Sequence, residues 1–136
     1  MTNIHVAVYG TLKRGFSNSS YLMDSQFLGN GVTKDKFQMF DTGGFPVIFH
    51  GEHAPVVVEA YGIQGDVLCC IDELEWNGRM FVRSKYDVLI GTHRSKLTCF
   101  IYLGVEDFWR RKMTGLRQWE PQDGVLNWQP YTQSQA

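Results

Sequence analysis

The chain has 136 residues, of which 43% are hydrophobic, 14% aromatic and 20% charged, and its formal net charge at pH 7 is −1. This length predicts one domain with a real core, and the near-neutral charge gives no general attraction to nucleic acid or anionic membranes. No apolar run approaches the roughly 20 residues of a membrane-spanning helix, and the N-terminus lacks a signal-peptide pattern, so we expect a cytoplasmic protein.

The first half of the chain predicts a series of short strands. Ile4–Val8 is apolar and β-branched, and turn residues follow it directly. Further strands are predicted at residues 27–33, 36–40, 47–49 and 56–61. Glycines interrupt the first of these four, as at a β-bulge or a bend in a barrel.

The second half begins with a change of apolar period from two to 3.6 residues. Asp66 is a plausible N-cap for a helix that ends near Asn77-Gly78. Strands return at Phe81–Ile90 and at 97–103, with a hairpin turn at 91–94, and residues 105–112 are compatible with a short helix. The tail from about residue 116 has no clear period, and residues 132–136 are expected to fray. These elements predict a single α+β domain over residues 1–136, with a small barrel-like mixed β-sheet and a few short helices.

The loop after the first predicted strand is a candidate anion site. The strand runs into Tyr9, Gly10, Thr11 and Leu12, so successive backbone N–H groups lie at a sheet end without ladder partners. Such groups can hold a carboxylate or a developing oxyanion. Gly10 allows a positive φ or the close approach of a ligand. Many strands end in Gly-Thr simply to turn, so this loop alone is a weak signal.

A carboxylate on the predicted helix is the second candidate. Glu75 projects within roughly 40–50° of the middle of the apolar face, whereas Glu73 points away and Asp72 lies on the border. Partial burial and the helix C-terminus would both raise the pKa of Glu75 toward the range useful for acid–base catalysis. The alternative is a side chain that turns to solvent or pairs with Arg79 or Arg83. The apolar face consists of Val67, Leu68, Ile71 and Leu74.

Five motifs in this order resemble the γ-glutamylcyclotransferase-like family, and especially its branch that acts on γ-glutamylamines. Three departures from the family pattern are Val58 and Trp76, where glycine is usual, and Phe81, where tyrosine is usual. The motifs are the Tyr-Gly-Thr-Leu-Lys-Arg-Gly run at residues 9–15, Gly-Phe-Pro-Val-Ile at 44–48, Glu-x-Tyr at 59–61, the acidic helix end at 71–75 and aromatic-x-Arg at 81–83.

The resemblance implies an enzyme that closes the α-amine of a γ-glutamyl amide onto its own γ-carbonyl, releasing 5-oxoproline and an amine or amino acid. It implies that Glu75 is the catalytic acid–base and that substrate is bound by the residues of the opening loop, Phe81 and Arg83. The substrate is a small molecule, and no metal, nucleotide or organic cofactor is required. The sequence does not indicate the oligomeric state, the leaving amine or the role of the Trp-rich tail.

Other functions are less well supported by the residues. The same fold could bind a small anionic metabolite without turnover, a possibility that the bulky Trp76 and the missing hydroxyl at Phe81 leave open. An interaction protein that uses the Trp-rich tail is a weaker alternative. His50 and His53 do not have a zinc-protease spacing, and Cys69-Cys70 lies in mid-helix, without the helix N-terminus that would activate a thiol.

Overall fold

The centre of the molecule is a closed β-barrel, which we describe from a computed structural model covering residues 4–130. The strands are β1 (Ile4–Val8), β2 (Gln26–Thr33), β3 (Phe37–Asp41), β4 (Pro46–His50), β5 (Val57–Ile63), β6 (Phe81–Ile90), β7 (Ser95–Gly104) and β8 (Arg117–Gln118). The α-helices are α1 (Gly65–Leu74) and α2 (Glu106–Trp109), and two 3₁₀ helices lie at Ser19–Leu22 and Met113–Gly115. This architecture confirms the predicted α+β class and the barrel-like mixed sheet.

The barrel has the strand order β1-β5-β2-β6-β7 and is closed by a parallel contact between β1 and β7. Its other neighbours are antiparallel, and a register shift between Phe27 and Gly29 of β2 matches the glycine-rich bulge expected there. Successive residues of β1 face two separate cores, because side chains alternate along a strand. Ala7 belongs to the core inside the barrel, whereas Val6 and Val8 belong to a second core on its outer side.

A second sheet, in the order β4-β3-β8, packs against the barrel and contributes to both cores, Met39 and Ile48 to the first and Val47 and Phe49 to the second. Its close approach depends on Gly104 at the end of β7. A Cβ at this position would lie 2.5 Å from Val47 Cγ2 and 2.7 Å from Phe49 Cε1. A larger residue would therefore force β4 away from the barrel, and β4 is the strand that carries one wall of the cavity described below.

Helix α1 follows β5 and covers the second core. Ile71 is fully buried there, and the rest of the predicted apolar face packs against the same core at partial burial. The prediction of Asp66 as N-cap is wrong, because the helix begins at Gly65 and Gln64 is the capping position. Asp66 lies in the first turn instead, where its carboxylate accepts a hydrogen bond from the N–H of Val67.

The helix ends earlier than predicted. Its last residue is Leu74, Glu75 is the C-cap, and Trp76 takes a left-handed conformation with φ of 52°. A left-handed residue after the C-cap reverses the chain, a position usually filled by glycine. Asn77-Gly78 therefore lies in the turn that leads to β6, and not in the helix.

The C-terminal tail is part of the core, although its sequence shows no period. Leu126 and Trp128 are buried, and Leu126 forms a parallel bridge with Val56. The indole N–H of Trp128 donates to Asp41 Oδ1 at 3.2 Å. The expected fraying of residues 132–136 lies outside the described residues. Within residues 4–130, no helix is both long enough and apolar enough to span a bilayer.

Candidate active site

A cavity of about 240 Å³ opens where β1 ends, between the barrel, the second sheet and the C-terminal end of α1. It brings together segments that are far apart in the sequence. Its lining consists of residues 7–12, 17–18, 44–46, 74–75 and 80–81 together with Tyr102. All of the sequence-predicted site residues except Arg83 are therefore on its wall.

The loop after β1 presents free backbone donors to this cavity. The N–H groups of Gly10, Thr11 and Leu12 donate to no carbonyl or side chain within residues 4–130, whereas the N–H of Lys13 closes a turn onto the carbonyl of Gly10 at 3.1 Å. Buried backbone N–H groups without a partner are rare in folded proteins. Three unpaired N–H groups in one loop on a cavity wall can hold an anionic oxygen.

Gly10 is required by close packing, and not by a positive φ. Its φ is outside the left-handed region, and a Cβ there would lie 2.9 Å from Cγ and Cδ of Pro46. A positive φ is therefore not the reason for this glycine, the contact that excludes a Cβ is with Pro46 of the opposite wall, and the close approach of a ligand stays a prediction. This contact fixes the width of the cavity between the opening loop and the start of β4.

Lys13 fixes the opening loop to the C-terminal tail. The side chain is only 4% exposed, and its Nζ donates to Asn127 Oδ1 at 3.2 Å and to the carbonyl of Trp128 at 3.1 Å. Burial lowers the pKa of Lys13, and the carboxylate of Glu59 acts in the opposite sense. Glu59 of β5 also accepts a hydrogen bond from the N–H of Arg14 at 2.9 Å. The opening loop is therefore anchored to the tail through Lys13 and to β5 through Arg14.

The carboxyl group of Glu75 lies on the opposite wall, partly buried and without a partner. No hydrogen bond or ion pair connects it to any other described residue, and its oxygens retain solvent access. Burial raises the pKa of Glu75 from 4.5 to about 7. Near neutral pH the group therefore exists in both protonation states, the condition for accepting and returning a proton. Neither of the alternative pairings, with Arg79 or Arg83, occurs.

Two tyrosines surround Glu75 without neutralising it. Tyr9 donates its hydroxyl to the carbonyl of Tyr102 at 2.6 Å, and Tyr102 donates its own hydroxyl to Asp72. Burial raises the pKa of Tyr9, and the Glu75 charge raises it further, whereas a backbone hydrogen bond at Ile48 lowers it. Burial, then the hydrogen bond and charge of Asp72, raise the pKa of Tyr102. Both phenols therefore remain neutral at physiological pH.

Arg83 lies behind the cavity wall. Its Nε and Nη2 donate to the two oxygens of Asp72 at 2.9 and 3.2 Å, and its guanidinium lies 4.6 Å from the centroid of the Phe100 ring. The hydrogen bond and the charge of Asp72 raise the pKa of Arg83. Arg83 therefore acts on the cavity from behind its wall, through Asp72, which accepts the Tyr102 hydroxyl, and through its charge, which lowers the pKa of Tyr102.

Sequence reasoning did not identify several residues of the site. Lys13, Pro46 and Asn18 were not assigned to it, and Tyr102 was included only as a residue of the strand predicted at 97–103. Asn18 donates to Thr11 Oγ1 at 2.9 Å and braces the loop. The sequence carried no local signal for these residues, because a lysine in a turn is ordinarily exposed and the partners of Lys13 lie more than a hundred residues away in the tail. Within residues 4–130, no group of three or more His, Cys, Asp or Glu is placed to hold a metal ion.

Comparison with known proteins identifies one family. The family described as "Gamma-glutamyl cyclotransferase, AIG2-like" matches residues 6–123. The chain is 41% identical over 70 residues to a Vibrio cholerae protein named "Putative gamma-glutamylcyclotransferase", a match that covers 52% of this chain and 60% of that protein. It is 29% identical over 113 residues to the γ-glutamylaminecyclotransferase of Rattus norvegicus, covering 72% and 76%.

A solved structure shows the same fold. The crystal structure of an AIG2-like protein from Mus musculus superposes with a TM-score of 0.74 at 23% identity, over 95% of this chain and 98% of that one. The V. cholerae match leaves two fifths of that relative uncovered, since it spans 60% of its length.

Proposed function

The chain belongs to the AIG2-like γ-glutamyl cyclotransferase family, and we propose that it converts a γ-glutamyl amide into 5-oxoproline and a free amine. The observation that carries this proposal is the position of Glu75, an unpaired carboxyl with a pKa near 7, on the same cavity as the free N–H groups of Gly10, Thr11 and Leu12. An acid–base group that faces an anion seat is what an acyl transfer requires.

The substrate supplies its own nucleophile, so the protein has mainly to fold and hold it. The α-amine and the γ-carbonyl belong to one molecule, and bringing them together closes a five-membered ring. In this proposal the N–H groups of the opening loop hold the carbonyl oxygen as it becomes an oxyanion. Phe81 provides an apolar wall, and Arg83 keeps that wall in place through Asp72 and Tyr102.

Glu75 transfers one proton from the nucleophile to the leaving group. Its carboxylate takes a proton from the α-ammonium, and the freed amine forms a bond to the γ-carbonyl carbon. The tetrahedral intermediate then collapses, and the bond from this carbon to the leaving nitrogen breaks. Glu75 returns the proton to that nitrogen. The attacking nitrogen gives its second surplus proton to the departing amine, which leaves as an ammonium, so the lactam is neutral and the enzyme ends the cycle unchanged. A pKa near 7 suits both transfers, because neither direction is strongly uphill.

The test is turnover of a panel of γ-glutamyl amides by the purified protein, with 5-oxoproline as the readout. We expect Glu75→Gln to lower kcat by at least about 10²-fold, since it keeps the shape and removes the proton acceptor. Glu73→Gln is the matched control, because Glu73 lies on the same helix end but is exposed. Equal activity in Glu75→Gln and the native protein would overturn the assigned role.

The panel also separates catalysis from binding alone. If γ-glutamyl amides raise the Tm but yield no 5-oxoproline, the chain is a metabolite-binding module on the same fold.

A further inference from the structure

Trp76 is an exposed aromatic residue directly beside the proposed acid–base group. Its side chain is 50% exposed, although it is one of the largest apolar groups in the chain. Its φ of 52° places it in the left-handed region, where a bulky residue is strained. A glycine would end the helix here without strain. The local fold therefore does not explain the tryptophan.

Trp76 begins a tight turn that returns to the cavity. The carbonyl of Trp76 accepts hydrogen bonds from the N–H groups of Arg79 and Met80 at 3.0 and 3.1 Å. Glu75 before the turn and Met80 after it both line the cavity. The turn is therefore the rim of the cavity on the Glu75 side.

A continuous series of aromatic rings connects this rim to the cavity wall. The ring of Trp76 lies 5.9 Å from that of Phe108, and Phe108 lies 5.2 Å from Trp109. Trp109 in turn contacts Phe45 and Phe81, both of which line the cavity, at 6.1 and 6.2 Å. Trp109 is buried, so it supports the series from below, and the rings that a ligand leaving the cavity on this side can meet are those of Trp76 and Phe108.

Cations lie against the outer part of this surface. The guanidinium of Arg79 is 5.0 Å from the centroid of Trp76, and Nζ of Lys112 is 4.3 Å from that of Phe108. The acidic residues of α2 offset them only in part, because Asp107 is already paired with Arg110 at 2.7 Å. The rim therefore combines the exposed ring of Trp76 and the partly exposed ring of Phe108 with a positive charge.

We propose that Trp76, Phe108 and Arg79 form a leaving-group subsite that takes an aromatic or large apolar amine carrying a carboxylate. This inference rests on the proposed function. In that reaction the glutamyl part is held at the opening loop, and the leaving nitrogen takes its proton from Glu75. The leaving group is therefore on the side of Glu75, where the rim begins. The rings of Trp76 and Phe108 pack against its side chain, and Arg79 pairs with its carboxylate.

The test compares substrates that differ only in the leaving group: γ-glutamyl-phenylalanine, γ-glutamyl-phenethylamine, which lacks the carboxylate, and γ-glutamyl-methylamine. Each result is a ratio of kcat/KM values on one protein preparation, so any loss of folded protein cancels. We expect the native protein to prefer the phenylalanine substrate. Trp76→Leu should lower the phenylalanine-to-methylamine ratio about fivefold to tenfold.

Arg79→Gln should lower the phenylalanine-to-phenethylamine ratio by about fivefold, because only the first substrate carries the carboxylate. Trp119→Leu is the matched control. The guanidinium of Arg117 lies 5.4 Å from the centroid of the Trp119 ring, but Trp119 follows β8, where its N–H donates to the carbonyl of Met39 in β3. Trp76→Gly is a second variant, with the residue that a left-handed position prefers, in case the leucine variant does not fold.

The outcomes are distinguishable. If Trp76→Leu and Trp76→Gly shift the ratio no more than Trp119→Leu does, the subsite is overturned while the proposed function stands. If the native protein turns over none of these three substrates but does turn over other γ-glutamyl amides of the panel, only the subsite is overturned, and if it turns over none of the panel, the proposed function fails and the subsite fails with it.

Discussion

Asp72 and Glu75 lie three residues apart at the end of the same helix, and their carboxyl groups have opposite environments. Asp72 receives two hydrogen bonds from Arg83 and one from Tyr102. Glu75 receives none from the described residues, and burial alone raises its pKa to about 7. The first carboxylate joins α1 to the barrel, whereas the second is left free for chemistry at a cost in stability.

That cost depends on pH. The folded-state pKa of Glu75, about 7, is above its ordinary value of 4.5, so the folded protein binds this proton more tightly than the unfolded chain does. Stability therefore falls as pH rises from about 4.5 to 7, and the loss is complete above 7. At 1.36 kcal/mol for each pKa unit, the ionised group destabilises the fold by up to about 3 kcal/mol.

The largest expected effect is a gain in stability from Glu75→Gln. At pH 8 the free energy of unfolding should rise by up to about 3 kcal/mol, because the buried charge is removed. Below pH 4.5 the difference from the native protein should disappear. Urea unfolding at both pH values measures it. A variant that is less stable than the native protein at pH 8 would mean that the Glu75 charge has a partner in solution.

The pH dependence of activity should show the same group. Below the Glu75 pKa of about 7, kcat/KM should fall about tenfold for each pH unit, which gives about a hundredfold loss at pH 5. Initial rates of 5-oxoproline formation between pH 5 and 9 measure the profile, with circular dichroism to show that the fold persists. In Asp72→Asn, the fall of kcat/KM at acidic pH should still begin near pH 7. A shift of this fall to another pH in Asp72→Asn would contradict its assignment to Glu75.

The paired carboxylate should respond in the opposite way. Asp72→Asn should lower the free energy of unfolding by about 2 kcal/mol at neutral pH, because it removes a charge-assisted pair and weakens the Tyr102 hydrogen bond. Asp107→Asn is the control, since the Asp107–Arg110 pair is exposed on both sides and should contribute less than about 1 kcal/mol. Equal effects of the two substitutions in chemical denaturation would show that the Asp72 cluster is not structural.

The smallest effect concerns the turn that follows Glu75. Trp76→Gly should stabilise the fold by up to about 1 kcal/mol, because glycine takes the left-handed conformation without strain. Arg94→Gly provides the reference, since Arg94 has a φ of 54° in an exposed hairpin. The difference between the two gains in Tm measures what the contacts of Trp76 with Phe108 and Arg79 contribute. A clear loss of Tm in Trp76→Gly would mean that Trp76 is a structural residue.

Local patterns in the sequence predicted most of the elements and one side of the site. The period-two and period-3.6 apolar patterns predicted the barrel strands and α1. The helical projection predicted that Glu75 faces the core and that Glu73 faces solvent, as the structure shows. The pattern misplaced the helix ends, because a cap depends on the φ of single residues such as Trp76. It also missed the burial of the tail, since the core positions of Leu126 and Trp128 follow no repeat.

The sequence by itself determined which backbone segments become strand or helix and which face of each is apolar, because these properties follow from a periodicity within a few neighbouring residues. Only the tertiary structure decided which polar groups are paired. The partners of Asp72 and Lys13 come from β6, β7 and the tail, and their meeting depends on how the barrel closes. The apolar period of α1 indicated that Glu75 turns inward, but only the closure of the barrel decided that Glu75 lies beside the opening loop and has no partner there among the described residues.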